Sequence, residues 1–290
     1  MFSYLELLRP LNCLMAAAAV FTGGMLVIGW DINMLFTPSP LYLAMAAAFL
    51  ITGAGNAIND CVDVDADRIN KPKRPIPSGR VQKRNALLLA VLLFVLGVFL
   101  SGFINWVAFI IALFNSVLLT IYSFRLQNKV LMGNLAVSYL VGSTFLFGAA
   151  SLGSIVMPAV LMVLAGLANF SREIIKDLED IEGDRVGFLK RVTTGITKPI
   201  AERFRITGKG VRLKYKKRHA LFIAELSLLG AVILSPVPYL WGILGMNYVF
   251  VVALADLVFL YCILRMFRYK SKKDLTEVSK KIKYGMFMGL

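Results

Sequence analysis

Apolar residues fill this chain in long unbroken blocks, not in the one-sided stripes of a soluble helix. The first block, Leu11 to Trp30, is 20 residues long and carries no charge. That length crosses a ~30 Å hydrocarbon core as a helix. Seven more blocks follow: Leu41 to Ile58, Ala86 to Phe103, Trp106 to Phe124, Leu131 to Ser151, Ile155 to Phe170, Ala220 to Tyr239 and Leu240 to Leu264. Each predicts a transmembrane helix. A ninth, Ile282 to Leu290, has nine residues and is too short to span. It leaves two expectations, a helix cut short or a tail lying in the interface.

The polar connections between blocks alternate in charge. Of 32 Lys and Arg, one precedes the first block, seven lie between Arg68 and Arg84, and two are Arg125 and Lys129. Fourteen lie from Arg172 to Arg218 and eight from Arg265 to Lys283. If each block crosses once, all of them share one side. The opposite connections, near Asp31, Ser101, Ser154 and Pro236, hold none. This asymmetry predicts that the amino terminus and the basic connections are cytoplasmic.

Composition agrees. The chain has 290 residues, 58% of them hydrophobic, and a mean hydropathy of +0.72. The first block is too long for a secretory signal, and Asp31 follows it without a small-residue cleavage pattern. Three dispersed cysteines, Cys13, Cys61 and Cys262, give no disulfide framework or zinc set. His219 stands alone, which excludes a histidine metal centre. The net charge of +15 belongs to loops beside anionic headgroups, so nucleic acid is not an expected partner. The expected class is an all-α polytopic membrane protein forming one domain, residues 1–290.

Two connections carry more than charge. Asp60, Asp63 and Asp67 recur 117 positions later as Asp177, Asp180 and Asp184. Spacing i, i+3, i+7 sets three carboxylates on one helix face, where they repel one another. Asp65 points elsewhere and is a bystander. Asp63-x-Asp65-x-Asp67 also resembles the start of an EF-hand loop, but Arg68 and Arg74 stand where that loop needs Gly and Glu. A solvated helix end is the plainer reading of either motif alone. The recurrence argues against it, and so do Asn56, Asn59 and Asp60 lying in or against an apolar block. Polar groups at such depth mark functional cavities.

Oxygen-only ligands suit Mg²⁺, which is commonly completed by substrate phosphates. Two such clusters facing one cavity would hold Mg²⁺ on a diphosphate. Lys71, Lys73, Arg74 and Arg80 follow the first motif, and Arg172 and Lys176 accompany the second, as phosphate partners. A membrane protein holding Mg²⁺-diphosphate calls for a lipidic substrate, and an isoprenyl diphosphate satisfies both halves.

At this point the residues resemble a family. Asn59-Asp60-x-x-Asp63-x-x-x-Asp67, followed by Ile69-Asn70-Lys71-Pro72-Lys73-Arg74-Pro75-Ile76-Pro77-Ser78-Gly79, resembles the first signature of the UbiA-type intramembrane prenyltransferases. Lys176-x-x-x-Asp180-x-x-x-Asp184 resembles their second. Arg9-Pro10-Leu11-Asn12 resembles their amino-terminal element. Tyr122-Ser123 with Gly133-Asn134 resembles their middle one. The resemblance covers residues 5 to 185, and the remainder only through topology.

The resemblance implies about nine helices around a central cavity, with a polar cap on the cytoplasmic side built from 56–80 and 172–185. It implies Mg²⁺ and an allylic diphosphate donor. Asn59, Asp63 and Asp67 would hold one metal, and Asp180 and Asp184 the other, with Asp60 and Asp177 as further ligands or their partners. Lys71, Arg74, Lys129, Arg172 and Lys176 would neutralise diphosphate. Arg9, Asn12 and Asn56 would contact substrate. Tyr122 would sit near the breaking carbon–oxygen bond and face the allylic cation with its ring. Metal would stabilise the leaving diphosphate, and a water-poor bundle would protect the cation.

Details of both motifs look most like the branch that makes archaeal ether lipids. That branch would transfer geranylgeranyl from its diphosphate to the free hydroxyl of geranylgeranylglyceryl phosphate. Branches acting on aromatic quinone precursors or on a chlorophyll-type carboxyl are the alternatives. Outside the family stand a CDP-alcohol phosphotransferase, whose Asp-Gly-x-x-Ala-Arg is missing, and a cation transporter, which would carry charge near mid-membrane. The chain departs from the family where Leu126 is followed by Gln127 rather than Lys, with Lys129 two further on. It departs again in the long basic stretch 185–218. There Arg203, Arg205, Lys209 or Arg212 would either meet the acceptor's phosphate or simply flank the membrane.

Overall fold

The computed structural model describes residues 2–28, 40–127, 129–193, 217–269 and 271–289, with the side chains of 180–193 outside the description. The described residues are helical throughout, joined by turns. They run α1 (Phe2–Leu8), α2 (Pro10–Ile28), α3 (Pro40–Val62), α4 (Val64–Asn70), α5 (Lys83–Gly102) and α6 (Trp106–Ile121). A π-turn (Tyr122–Leu126) leads to α7 (Val130–Ala150) and α8 (Val156–Thr193). The chain continues with α9 (Lys217–Leu234), α10 (Val237–Leu240), α11 (Met246–Phe267) and α12 (Lys272–Met288). Eight stretches are long and apolar enough to cross a membrane, one for each of the eight long blocks of the sequence.

The chain forms two compact units. The first holds Met1–Gln127 and Tyr139–Val163, the second Asn128–Ser138 and Leu164–Leu290. In the first, α3 packs against α2, α5 and α6 through Val20, Leu41, Ala44, Ala47, Ile51, Ala108 and Ala112. Lipid tails are as apolar as these side chains, so close packing of small residues must hold such helices together. Gly23 and Gly148 show how close. A Cβ on Gly23 would collide with the Phe145 backbone, and one on Gly148 with that of Val20. Polar backbone at the far end is closed by Asn105. Its side chain accepts from the Ala108 N–H at 2.8 Å and donates to the Ala150 carbonyl at 2.8 Å.

A second core of this unit lies beneath the first acidic motif. Leu7, Ala57, Ile58, Cys61, Val64, Ile76, Val81, Ala86 and Ala90 are buried together. Ile76 and Val81 belong to the connection between α4 and α5. Their burial folds that connection back toward α3, with bonds from Ser78 N to Arg74 O and from Val81 N to Pro75 O, each 3.0 Å.

The second unit buries Ile174, Ile175 and Leu178 of α8 with Leu221, Ala224 and Leu228 of α9, Phe259, Cys262 and Met266 of α11, and Leu275, Val278 and Ile282 of α12. The short ninth block is the end of α12, which begins on a Ser271–Asp274 capping box and packs along α11, Gly285 lying against Phe259. Outer faces of the long helices are apolar and exposed, as at Leu88, Val95, Phe99, Phe250, Leu257 and Leu264. A surface of that kind belongs in hydrocarbon.

Candidate active site

The first motif straddles a break in the helix. α3 ends at Val62, Asp63 stands at the joint, and α4 begins at Val64. The backbone ladder carries on across it, from Asp63 N to Asn59 O at 2.9 Å and from Asp67 N to Asp63 O at 2.8 Å. Asp60 and Asp67 are therefore two turns apart on one face, and both are buried, 2% and 6% exposed.

Their charge is answered by two arginines from distant parts of the chain. Arg74 Nη1 reaches Asp67 and, at 3.1 Å, Asp60. Arg9 Nη2 pairs with the same Asp60 oxygen. Arg9 sits at the corner between α1 and α2 with φ +53°. The following Pro10 disfavours a right-handed helical backbone at this position. Its carbonyl still accepts from Asn12 N at 2.9 Å and so opens α2. Asn56, one turn before Asp60, is buried and donates to the Leu8 carbonyl at 2.9 Å, which holds that corner in place.

Asp63 faces a different element. The π-turn, closed by Gln127 N to Tyr122 O at 2.9 Å, adds a residue to the helical ladder, a device common at functional sites. It turns Ser123 and Gln127 toward α3. Ser123 Oγ donates to Asn59 Oδ1, and Gln127 Nε2 donates to both oxygens of Asp63, at 2.8 and 2.9 Å. Two residues four apart thus read two residues four apart. Gln127, the residue that departs from the family pattern, was not among the expected site residues. The signal available was that matched spacing, 123 and 127 against 59 and 63. Tyr122 is half-buried at the start of the same turn.

The remaining cations are placed less intimately. Lys71 of this unit is exposed, and so is Asn12, while Lys129, also exposed, belongs to the second unit. Asp65 is exposed and pairs with Arg68 at 3.2 Å, apart from the other three carboxylates. Arg80 forks onto Glu6 at 2.7 and 3.1 Å and also donates to the Lys73 carbonyl. That contact holds the Glu6 carboxyl below its ordinary range, and Arg80 is correspondingly raised.

In the second unit, α8 carries the second motif. Asp177 Oδ2 accepts from Asn134 Nδ2 of α7 at 3.0 Å. Glu173 is held by Arg172 at 2.7 Å and by Lys176 at 3.2 Å. Both cations assigned to diphosphate thus meet a carboxylate that the motif does not include. Glu179 accepts from Thr276 of α12 at 2.7 Å. The side chains of Asp180 and Asp184 lie outside the described residues, as do Arg203, Arg205, Lys209 and Arg212.

The donor set suits magnesium. Asn59, Asp60, Asp63 and Asp67 offer only hard oxygen. Among the described residues no three acidic, histidine or cysteine side chains gather closely enough to hold a cation by themselves. That is the usual condition of Mg²⁺, which takes one or two protein carboxylates, keeps waters and is completed by phosphate. Asn59 and Asp63 have neutral partners, Ser123 and Gln127, while Asp60 and Asp67 are held by arginine.

A family model described as the UbiA prenyltransferase family matches residues 16–289. The digeranylgeranylglyceryl phosphate synthase of Methanosarcina mazei is 42% identical over 99% of this chain and 96% of its own length. That of Methanopyrus kandleri is 42% identical over 100% and 97%. A solved structure concerning digeranylgeranylglyceryl phosphate synthase in membranes superposes with TM-score 0.79 at 32% identity, covering 99% of this chain and 94% of that one. A UbiA homolog from Archaeoglobus fulgidus, bound to GPP and Mg²⁺, shares the fold with TM-score 0.68 at 18% identity, over 99% and 98% of the two chains.

Proposed function

Because the chain belongs to the UbiA prenyltransferase family and is a multi-pass membrane protein, we propose that it forms digeranylgeranylglyceryl phosphate. Geranylgeranyl diphosphate is the donor, and the free hydroxyl of geranylgeranylglyceryl phosphate is the acceptor. One observation carries this reading: 42% identity along 99% of the chain to a synthase of that name. The family also sets aside the phosphotransferase and the transporter. A single family model running from 16 to 289 supports one prenyltransferase domain.

The oxygens of both motifs would hold Mg²⁺: the Asn59 amide with the Asp63 and Asp67 carboxylates, and Asp60 beside them, in the first, and Asp180 and Asp184 with Asp177 in the second. When bound, the metal supplies Lewis-acid stabilisation of the charge that builds on departing diphosphate. Arg74 and Arg9 keep guanidinium charge beside the buried carboxylates, and Lys71, Lys129, Arg172 and Lys176 offer further positive charge to the diphosphate oxygens. Tyr122 lends its ring to the allylic cation, worth roughly 2 kcal/mol when desolvated. No strong base is required, since a carbocation captures a neutral hydroxyl. Arg9, Asn12 and Asn56 would contact substrate beside the first motif. The motif-bearing face is cytoplasmic, which the one-sided distribution of all 32 Lys and Arg supports.

The test supplies the purified protein with labelled geranylgeranyl diphosphate, Mg²⁺ and several acceptors in parallel. Labelled ether product on the glycerol phosphate acceptor, with diphosphate released only when Mg²⁺ is present, is the expected result. Product on an aromatic acceptor, with none on the glycerol ether, overturns the acceptor assignment.

A further inference from the structure

Gln127 holds Asp63 with one end of its amide and leaves the other end open. Nε2 lies 2.8 and 2.9 Å from the two carboxylate oxygens. The opposite rotamer would set Oε1 against both, acceptor facing acceptor, so the carboxylate fixes which way the amide points. Oε1 is then on the far side. It is buried, and it has no hydrogen-bond partner among the described residues. A buried amide oxygen without a donor is costly, and a hydroxyl brought by water or by a ligand would satisfy it.

The proposed reaction brings one such group. The acceptor lipid attacks through a hydroxyl, and its O–H needs an acceptor while its lone pair meets the allylic carbon. Resting on that reading, we infer that Gln127 is a specificity-determining residue whose Oε1 accepts a hydrogen bond from the acceptor's hydroxyl while its Nε2 holds Asp63. One side chain then ties the attacking oxygen to the metal-binding motif. The bond broken is the donor's carbon–oxygen bond to diphosphate, and the bond formed is the ether carbon–oxygen bond. The hydroxyl proton leaves for the released diphosphate, since an amide oxygen is too weak a base to keep it. An aromatic acceptor attacks through ring carbon and offers no O–H at the reacting atom. Lysine has three donors and no acceptor, so it would hold Asp63 and give the hydroxyl nothing.

The experiment uses the full chain in lipid nanodiscs, as native protein and Gln127→Lys, with Gln127→Leu as a second variant. It measures KM for the acceptor, affinity for donor with Mg²⁺ in the absence of acceptor, and the inhibition constant of an acceptor analogue carrying hydrogen in place of the hydroxyl. Loss of one neutral hydrogen bond should raise acceptor KM about three- to tenfold in both variants. The deoxy analogue should bind native protein and Gln127→Lys equally, which a merely structural role would not produce. Unchanged acceptor KM in both variants overturns the inference. So does a shifted Mg²⁺ requirement for donor binding with acceptor KM unchanged, which assigns Oε1 to a metal-bound water. Native protein that makes no glycerol ether at all refutes the parent reading instead.

Discussion

Arg74 and Asp67 stand seven residues apart and close an ion pair over the turn that ends the first motif, and the same Nη1 lies 3.1 Å from Asp60. One guanidinium thus bridges two buried carboxylates, and while Arg9 also answers Asp60, Arg74 is the arginine that answers Asp67. Removing it leaves uncompensated buried charge. Arg74→Ala should cost about 3 kcal/mol of stability, read as a lowered melting temperature in detergent, together with loss of transfer. Arg74→Lys keeps the charge but moves it off the Nη1 position that reaches both carboxylates, and should recover only part of both. A variant with native melting and native kcat/KM would refute this role.

Of Asp60, Asp63 and Asp67, Asp63 is held by an amide, where the other two are held by arginine. Asp63→Asn keeps its shape and its place opposite Gln127 but loses the charge a metal needs. Several kcal/mol of transition-state stabilisation depend on the metal, so kcat/KM should fall on the order of 10³-fold. The Mg²⁺ concentration for half-maximal rate should rise. Chelation with EDTA should abolish transfer in native protein while leaving the melting temperature without donor nearly unchanged, because Asp60 and Asp67 are held by arginine and Asp63 by Gln127. A large drop in melting on chelation would show the metal to be structural.

Glu173 competes for the two cations beside the second motif. Arg172 and Lys176 both pair with it. Glu173→Gln should release them and lower the inhibition constant of inorganic pyrophosphate by roughly two- to fivefold, the scale of a partly exposed ion pair. A weaker pyrophosphate affinity would mean that Glu173 positions these cations instead of competing for them.

The Glu6–Arg80 fork gives a pH dependence. The folded carboxyl lies below its unfolded value because Arg80 stabilises the charged form. Its contribution is complete above the unfolded pKa, about 4.3, and fades as pH falls through the folded one. Both side chains are well exposed, so the effect is small and salt-sensitive. Melting of native protein and Glu6→Gln should differ most near pH 7 and converge toward pH 3. A difference that grows on acidification would contradict the sign.

Much of the fold is written in one dimension. All eight long apolar blocks became membrane-length helices, because block length against bilayer thickness needs no knowledge of neighbours. The acidic spacing was also visible, and Asp60 with Asp67 does share a face. What could not be read was the company each carboxylate keeps. Arg9 lies 51 residues from Asp60, and Gln127 lies 64 from Asp63. Those pairings arise from how α1, the π-turn and the folded-back connection dock on α3. Glu173 stands outside the repeated aspartate spacing, although it sits three residues before Lys176 on the same helix.

The corner at Arg9 has one more implication. An arginine in the left-handed region carries a backbone cost that glycine escapes, and here the cost persists where its guanidinium meets Asp60. A glycine at this corner would relax the chain and remove the cation together. The backbone relief would be offset by leaving the buried Asp60 carboxylate to Arg74 alone, so a glycine here would forfeit turnover without a hardier fold in return.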